Sequence, residues 1–228
     1  MAGARLFSLE GQAAIVTGAS SGLGAMMACG LAEAGCAVLL TARRQNELGR
    51  VAAAIEAGGG RALAHPADLR DPGHAQELVA AATGAFGRLD GVVLNAATSS
   101  IAAAEQEDPA SFDDVMRVNV GAQAALAAAA ARAMIGAGDG GWMILMSSIL
   151  GRKAGTGPGV AAYAASKIAV EGLTRELARQ WARHGIRVNA LAPGYFPTEM
   201  NAPMTADPGR REALVARIPL GRAGEPAD

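Results

Sequence analysis

Short apolar runs alternate along this chain with longer segments whose apolar positions recur at helical spacing. Ala13–Thr17 is the first run, short enough for a strand buried on both faces. Residues 23–34 follow as a helix of small and apolar residues, and Cys36–Ala42 as the second strand. Gln45–Ala57 is amphipathic, and Arg61–Pro66 reads as a third strand. Asp71-Pro72 offers a cap and a first-position proline for a helix ending near Phe86. Leu89–Leu94 and Trp142–Met146 are expected as strands four and five. Between them Asp108-Pro109 opens a long helix that passes Met116 and Asn119 into the alanine-rich residues 122–133. Another helix carries Tyr163 and Lys167 to about Arg183, where Gly185 stops it. Ile186–Leu191 is the sixth strand, and Pro193-Gly194 breaks the chain after it. This alternation runs over 228 residues without a repeat or linker, which predicts one α/β domain, a three-layer doubly wound parallel sheet.

Composition narrows the functions. Hydrophobic residues make up 51% and charged residues 18%, as in a globular protein with a buried sheet. A net charge of -1 gives no basic surface for nucleic acid. No apolar run approaches membrane-span length, and the N-terminus lacks a signal-peptide pattern. Cys29 and Cys36 sit in apolar contexts and are expected as small packing residues. His65, His74 and His184 lack metal-ligand spacing, so no metal is expected, and a reducing cytoplasmic setting is the default. The alanine face of residues 122–133 permits close helix approach and is read as a subunit contact.

The candidate chemistry lies at the ends of the strands. Thr17-Gly18-Ala19-Ser20-Ser21-Gly22-Leu23-Gly24 links the first strand to the first helix. Glycines there allow a tight turn and bring backbone amides to a pyrophosphate on the positive helix end, which makes a Rossmann-type dinucleotide site the expectation. No acidic residue follows the second strand before Glu47, and Arg43 stands where it could meet a 2′-phosphate. NADP(H) is therefore favoured, with NAD(H) possible. Asp68 and Leu69 follow the third strand, and Asp68 is placed to bond an adenine edge or to serve as a helix-entry carboxylate. Asn95 and Ala96 end the fourth strand, Ser147-Ser148 the fifth, and ligand sites of open parallel sheets lie beyond those ends. Asn119, polar among apolar neighbours, should be hydrogen-bonded internally. Tyr163 and Lys167 are four apart on one helix face, an arrangement in which an ammonium lowers the pKa of a phenol. With the Ser148 hydroxyl on the same oxygen, the set suits proton transfer to a group alternating between alcohol and carbonyl.

These motifs, in this order, resemble the short-chain dehydrogenase/reductase family in its ordinary-length branch, over essentially the whole chain. They are the glycine turn, Asp68-Leu69, Asn95-Ala96, Asn119, Ser148, Tyr163-x-x-x-Lys167 and Pro193-Gly194-x-x-x-Thr198. The segments 182–189 and 191–196 look closest to 3-oxoacyl or gluconate-type reductases. The resemblance implies that Tyr163 is the acid/base and that Ser148 orients the carbonyl. It implies that Lys167 holds the nicotinamide ribose, that Asn119 keeps a relay water, and that Thr198 contacts the carboxamide. It further implies a small-molecule alcohol or carbonyl substrate, and assembly as a homodimer or homotetramer.

The departures are local. Ala97 stands where the family usually has glycine, and Ser148 and Tyr163 are fifteen apart rather than thirteen, with the extra residues assigned to the loop 155–159. Residues 195–217 are expected as a lid over the substrate. The chain stops at Asp228 where the family continues to a seventh strand, so the sixth is expected as a sheet edge. The alternative to an oxidoreductase is a non-catalytic dinucleotide-binding sensor or scaffold on the same fold. A sugar-nucleotide epimerase or an enoyl reductase fits the motif spacing less well.

Overall fold

The computed structural model describes residues 7–155, 159–202 and 206–228. They form a six-stranded, all-parallel sheet of strands β1 (Ala13–Thr17), β2 (Ala37–Thr41), β3 (Ala62–Ala64), β4 (Gly91–Leu94), β5 (Gly141–Met146) and β6 (Ile186–Leu191), in the order β3-β2-β1-β4-β5-β6. The order reverses between β1 and β4, the place where open α/β sheets bind ligands. Every residue of β1, β2 and β4 is buried, as their unbroken apolar runs require of strands covered on both faces.

Successive side chains of a strand enter opposite layers. Ile15, Leu39, Val92 and Leu145 face one layer, where they meet α3 (His74–Phe86), α5 (Gln123–Ala137) and α6 (Ala161–Trp181). Val16, Val38, Leu40 and Val93 face the other, covered by α1 (Gly22–Glu33) and α2 (Gln45–Ala57). The expected doubly wound sheet is thus observed, with β6 at an edge among the described residues.

Three local expectations are corrected. Helix α3 begins at His74, not at Pro72, because Gly73 and His74 both donate to the Asp71 carbonyl in a separate turn. Most of the alanine stretch is buried in its own chain, with Ala127, Ala129, Ala130 and Ala131 packed into the core, so it is not a free subunit face. Finally, α4 (Pro109–Met116) joins α5 through a wide π-helical turn at Arg117–Ala122. The joined helix Pro109–Ala137 is long and apolar enough to cross a membrane. Here it is a core helix, with Leu126, Ala130 and Met134 buried against the sheet layer. The π-helical turn also carries Val118 and Asn119 inward.

Candidate active site

The glycine turn after β1 is shaped for close backbone approach. Gly18 (φ +66°) and Gly22 (φ +56°) adopt left-handed conformations that favour glycine. At Gly24 a Cβ would lie 2.2 Å from the Gly18 carbonyl oxygen, so only glycine fits. No side chain caps α1 and no acidic residue occupies its first turn, which leaves its positive end open to an anion. Such a cradle fits the pyrophosphate of a dinucleotide.

The residues around the turn brace it. Thr17 is fully buried, and its Oγ1 accepts hydrogen bonds from the backbone amides of Asn95 and Ala96, both 2.9 Å. The Asn95 side chain donates to the Thr17 carbonyl at 3.0 Å. These two side chains therefore hold the β1 and β4 loops together rather than project into the cleft. Leu69 is buried in the core, while Asp68 accepts from the Arg70 backbone amide (3.0 Å) and its guanidinium (3.4 Å). Arg70 in turn forms a bidentate pair with Asp114 on α4, whose carboxyl is held well below the carboxylate range by Arg70 and Arg117.

The sequence pointed to Arg43 for a 2′-phosphate, but Arg44 is the arginine that reaches the glycine turn. Its guanidinium donates to Ser20 (3.1 Å) and Ser21 (2.8 Å), and pairs with Glu199 at 2.8 Å. Ser21 also donates to Glu199 at 3.1 Å. Two adjacent arginines could not be told apart from sequence, because side-chain direction depends on where the backbone leaves β2. Glu199 was not foreseen at all. It arrives because the segment after β6 folds over the turn, with the Thr198 methyl 3.0 Å from where a Gly22 Cβ would sit. Pro193 accepts from the Ile149 backbone amide at 3.3 Å, and Ser147 donates through its own amide to Leu191, which joins this segment to the β5 end. Of the expected lid, residues 203–205 lie outside the described residues, as do residues 156–158 of the longer Ser148–Tyr163 loop. Within the expected lid segment, helix α7 (Pro208–Val215) buries none of its residues.

Ser148, Tyr163 and Lys167 come together where β5 ends against α6. Lys167 is 3% exposed; its ammonium donates to the Met146 carbonyl at 2.8 Å and lies 5.3 Å from the centre of the Tyr163 ring. Burial lowers its pKa to about 8. Tyr163 departs from expectation: burial raises its pKa, and a hydrogen bond from Ser148 only partly offsets this. Desolvation is the larger effect, and the Lys167 ammonium meets the ring and the Met146 carbonyl. Asn119, 1% exposed, is bonded internally as expected: its amide donates to the Thr98 carbonyl (2.9 Å) and the Ser166 hydroxyl (3.0 Å), and its oxygen accepts from the Thr98 amide. Ser166 donates to the Tyr163 carbonyl at 2.7 Å, so Asn119 braces the turn of α6 that carries the tyrosine.

Comparison with known proteins agrees with this architecture. The family model described as short chain dehydrogenase matches residues 12–209. The chain is 40% identical to 2-dehydro-3-deoxy-D-gluconate 5-dehydrogenase of Dickeya dadantii, covering 97% of this chain and 86% of that protein. A structure from Beutenbergia cavernae, described as a candidate NAD(P)-dependent gluconate 5-dehydrogenase with bound NADP, is 42% identical with a TM-score of 0.89, covering 96% of this chain and 86% of that one. A gluconate 5-dehydrogenase from Burkholderia cenocepacia in complex with NADP and tartrate is 33% identical with a TM-score of 0.90, covering 98% and 87%. The chain belongs to the short-chain dehydrogenase family, NAD(P)-dependent oxidoreductases acting on CH–OH groups.

The buried ammonium has a measurable consequence. Its folded pKa lies below that of an exposed lysine, so its burial penalty is fully present below pH 8 and is relieved as pH rises from about 8 to 10.5. Lys167→Met removes a penalty on the order of 3 kcal/mol, offset in part by the lost bond to Met146. In denaturant unfolding, the variant's stability relative to wild type is expected to be greatest below pH 8 and to fall between pH 8 and 10.5. A pH-independent difference contradicts this.

Proposed function

We propose that the protein is an NADP(H)-dependent dehydrogenase that interconverts a secondary alcohol and a ketone on a sugar acid or related polyol. The observation that carries this reading is the meeting of Ser148, Tyr163 and Lys167 at the β5 end, on the same sheet edge as an open phosphate cradle. The amides of the glycine turn hold the pyrophosphate, Ser20, Ser21 and Arg44 take the 2′-phosphate, and Lys167 and Thr198 face the nicotinamide half. Arg43 and the free edge of Asp68 serve the adenosine, while Thr17, Asn95, Ala96, Leu69, Pro193 and Gly194 shape the cleft. A bound nicotinamide dinucleotide supplies the hydride carrier.

Tyr163 donates its phenolic proton to the ketone oxygen in reduction and removes the hydroxyl proton in oxidation. Ser148 holds that same oxygen, and its bond to the phenol eases the proton's departure. A raised phenol pKa keeps Tyr163 protonated near neutrality, which favours reduction there and makes oxidation rise with pH. Lys167 stays cationic below about pH 8 and stabilises charge left on the tyrosine. The sugar-acid class rests on the names of the relatives, including one bound to NADP and tartrate. The described residues of the segment, 195–202 and 206–217, belong to the lid of this site within a single domain. A homodimer or homotetramer belongs to the same proposal, as does a reducing cytoplasmic setting, which suits the free Cys29 and Cys36.

Reduction of 5-keto-gluconate and related keto acids by NADPH tests the reading. Tyr163→Phe is expected to lower kcat at least 100-fold with the Kd for NADPH within twofold of wild type. Retained turnover contradicts it.

Arg44 and Glu199 give a separate expectation. The Glu199 carboxylate occupies the arginine that the 2′-phosphate needs. Both groups are substantially exposed, so the pair itself is weak. Arg44→Ala is expected to weaken NADPH binding at least tenfold with little effect on NADH, and Glu199→Gln to tighten NADPH selectively by a few-fold. Equal changes for both nucleotides contradict the assignment.

A further inference from the structure

The loop that carries Ser148 is fastened at both ends to one carboxylate. Upstream, the Ser147 hydroxyl donates to Glu171 Oε1 at 2.9 Å and lies 3.1 Å from the Lys167 carbonyl oxygen. Downstream, Arg152 forms a two-pronged pair with Glu171, its Nε 2.9 Å from Oε1 and its terminal nitrogen 2.8 Å from Oε2. Between these anchors a single tight turn, Ile149–Gly151, is capped by the Ser148 hydroxyl, which accepts from the Leu150 amide at 3.2 Å. Gly151 lies so close to α6 that a Cβ there would sit 3.2 Å from the Ile168 amide nitrogen.

Glu171 lies on α6, four residues beyond Lys167 and eight beyond Tyr163, on the same helix face. It is 7% exposed, whereas the Arg152 side chain that pairs with it is 65% exposed. A carboxylate in this position carries a desolvation penalty that a packing role alone does not require. Arg152, the Ser147 hydroxyl and, more distantly, Arg175 keep it ionised, with its pKa below the usual value.

We propose that Glu171 is a positioning residue for the reaction: it fixes the Ser148 loop on the helix bearing Tyr163 and Lys167, and thereby sets the Ser148–Tyr163 hydrogen bond. The inference rests on the roles given above to Ser148 and Tyr163. Glu171 touches neither substrate nor cofactor in this scheme. Misplacement of a catalytic group by a fraction of an ångström lowers the rate of the chemical step without weakening cofactor binding.

The test compares Glu171→Gln, Arg152→Ala and Arg152→Lys with wild type and Tyr163→Phe, measuring kcat, NADPH Kd, melting temperature and the pH profile of alcohol oxidation. Glutamine keeps the shape and one acceptor but turns a donor toward Arg152, so it undoes half of the fastening. Arg152→Ala is the second variant, because its guanidinium is largely in solvent and its loss spares the core. Both are expected to lower kcat roughly 10-fold or more with NADPH Kd within twofold. Both should shift the rising limb of oxidation to higher pH, since a loosened Ser148 bond no longer lowers the Tyr163 pKa. Arg152→Lys should recover part of the loss. The inference is overturned if Glu171→Gln and Arg152→Ala keep kcat within twofold and the profile unmoved. It is equally overturned if kcat falls only in step with NADPH binding and melting temperature, as general structural damage predicts. Turnover retained by Tyr163→Phe instead removes the functional reading on which it rests.

Discussion

Taking the Lys167 ammonium out of water is the constraint on which the site depends. A buried cation is tolerated only where the surrounding groups are arranged to receive it. The carbonyl of Met146, at the last residue of β5, accepts one of its protons. That bond joins the carboxyl end of an interior strand to the second turn of α6, and Tyr163 lies one turn away on the same helix. The neighbouring bonds act on the same junction. Asn119, turned inward by the π-helical turn, reaches Ser166, and Glu171 holds Ser147 and Arg152. The result is a lysine whose charge is adjustable near neutral pH beside a tyrosine that stays protonated there.

The other half of the cleft is built on space instead of charge. Glycines at 18, 22 and 24 leave room that any Cβ would fill, and Thr17 and Asn95 tie the loops of β1 and β4 so that this room persists. Arg44 supplies the cation at the rim, with Glu199 on it. The two halves communicate through the segment after β6, which lies against Gly22 at Thr198 and bonds the Ser148 turn at Pro193. The glycine turn and the Ser148 turn therefore share one stretch of chain.

Much of this was legible in the sequence. Unbroken apolar runs gave the central strands because burial on both faces leaves no alternation to misread, and β1, α2 and β6 match their expected bounds. The edge that gathers the glycine turn, Asn95 and Ser148 followed from topology, and the meeting of Ser148, Tyr163 and Lys167 from motif spacing. What escaped depended on three-dimensional direction. Asp71-Pro72 has the chemistry of a helix start, yet a local turn at Gly73 delays the helix. Alanines that look suited to a subunit interface serve equally well inside a close-packed core. The tyrosine pKa was misjudged because a spacing of four fixes proximity but not burial, and burial wins here. Glu171, Glu199 and the reach of Arg44 to the glycine turn involve contacts between segments that local sequence cannot pair.

With only two lysines in the chain, Lys153 and Lys167, the central constraint can be observed directly. The protein is labelled at the lysine side-chain carbons, and the signal that vanishes in Lys167→Met is followed by NMR across the alkaline range without nucleotide. The account predicts a midpoint at about pH 8 for that signal. A midpoint at the ordinary lysine value of 10.5 would contradict it and show that the ammonium is not held out of water.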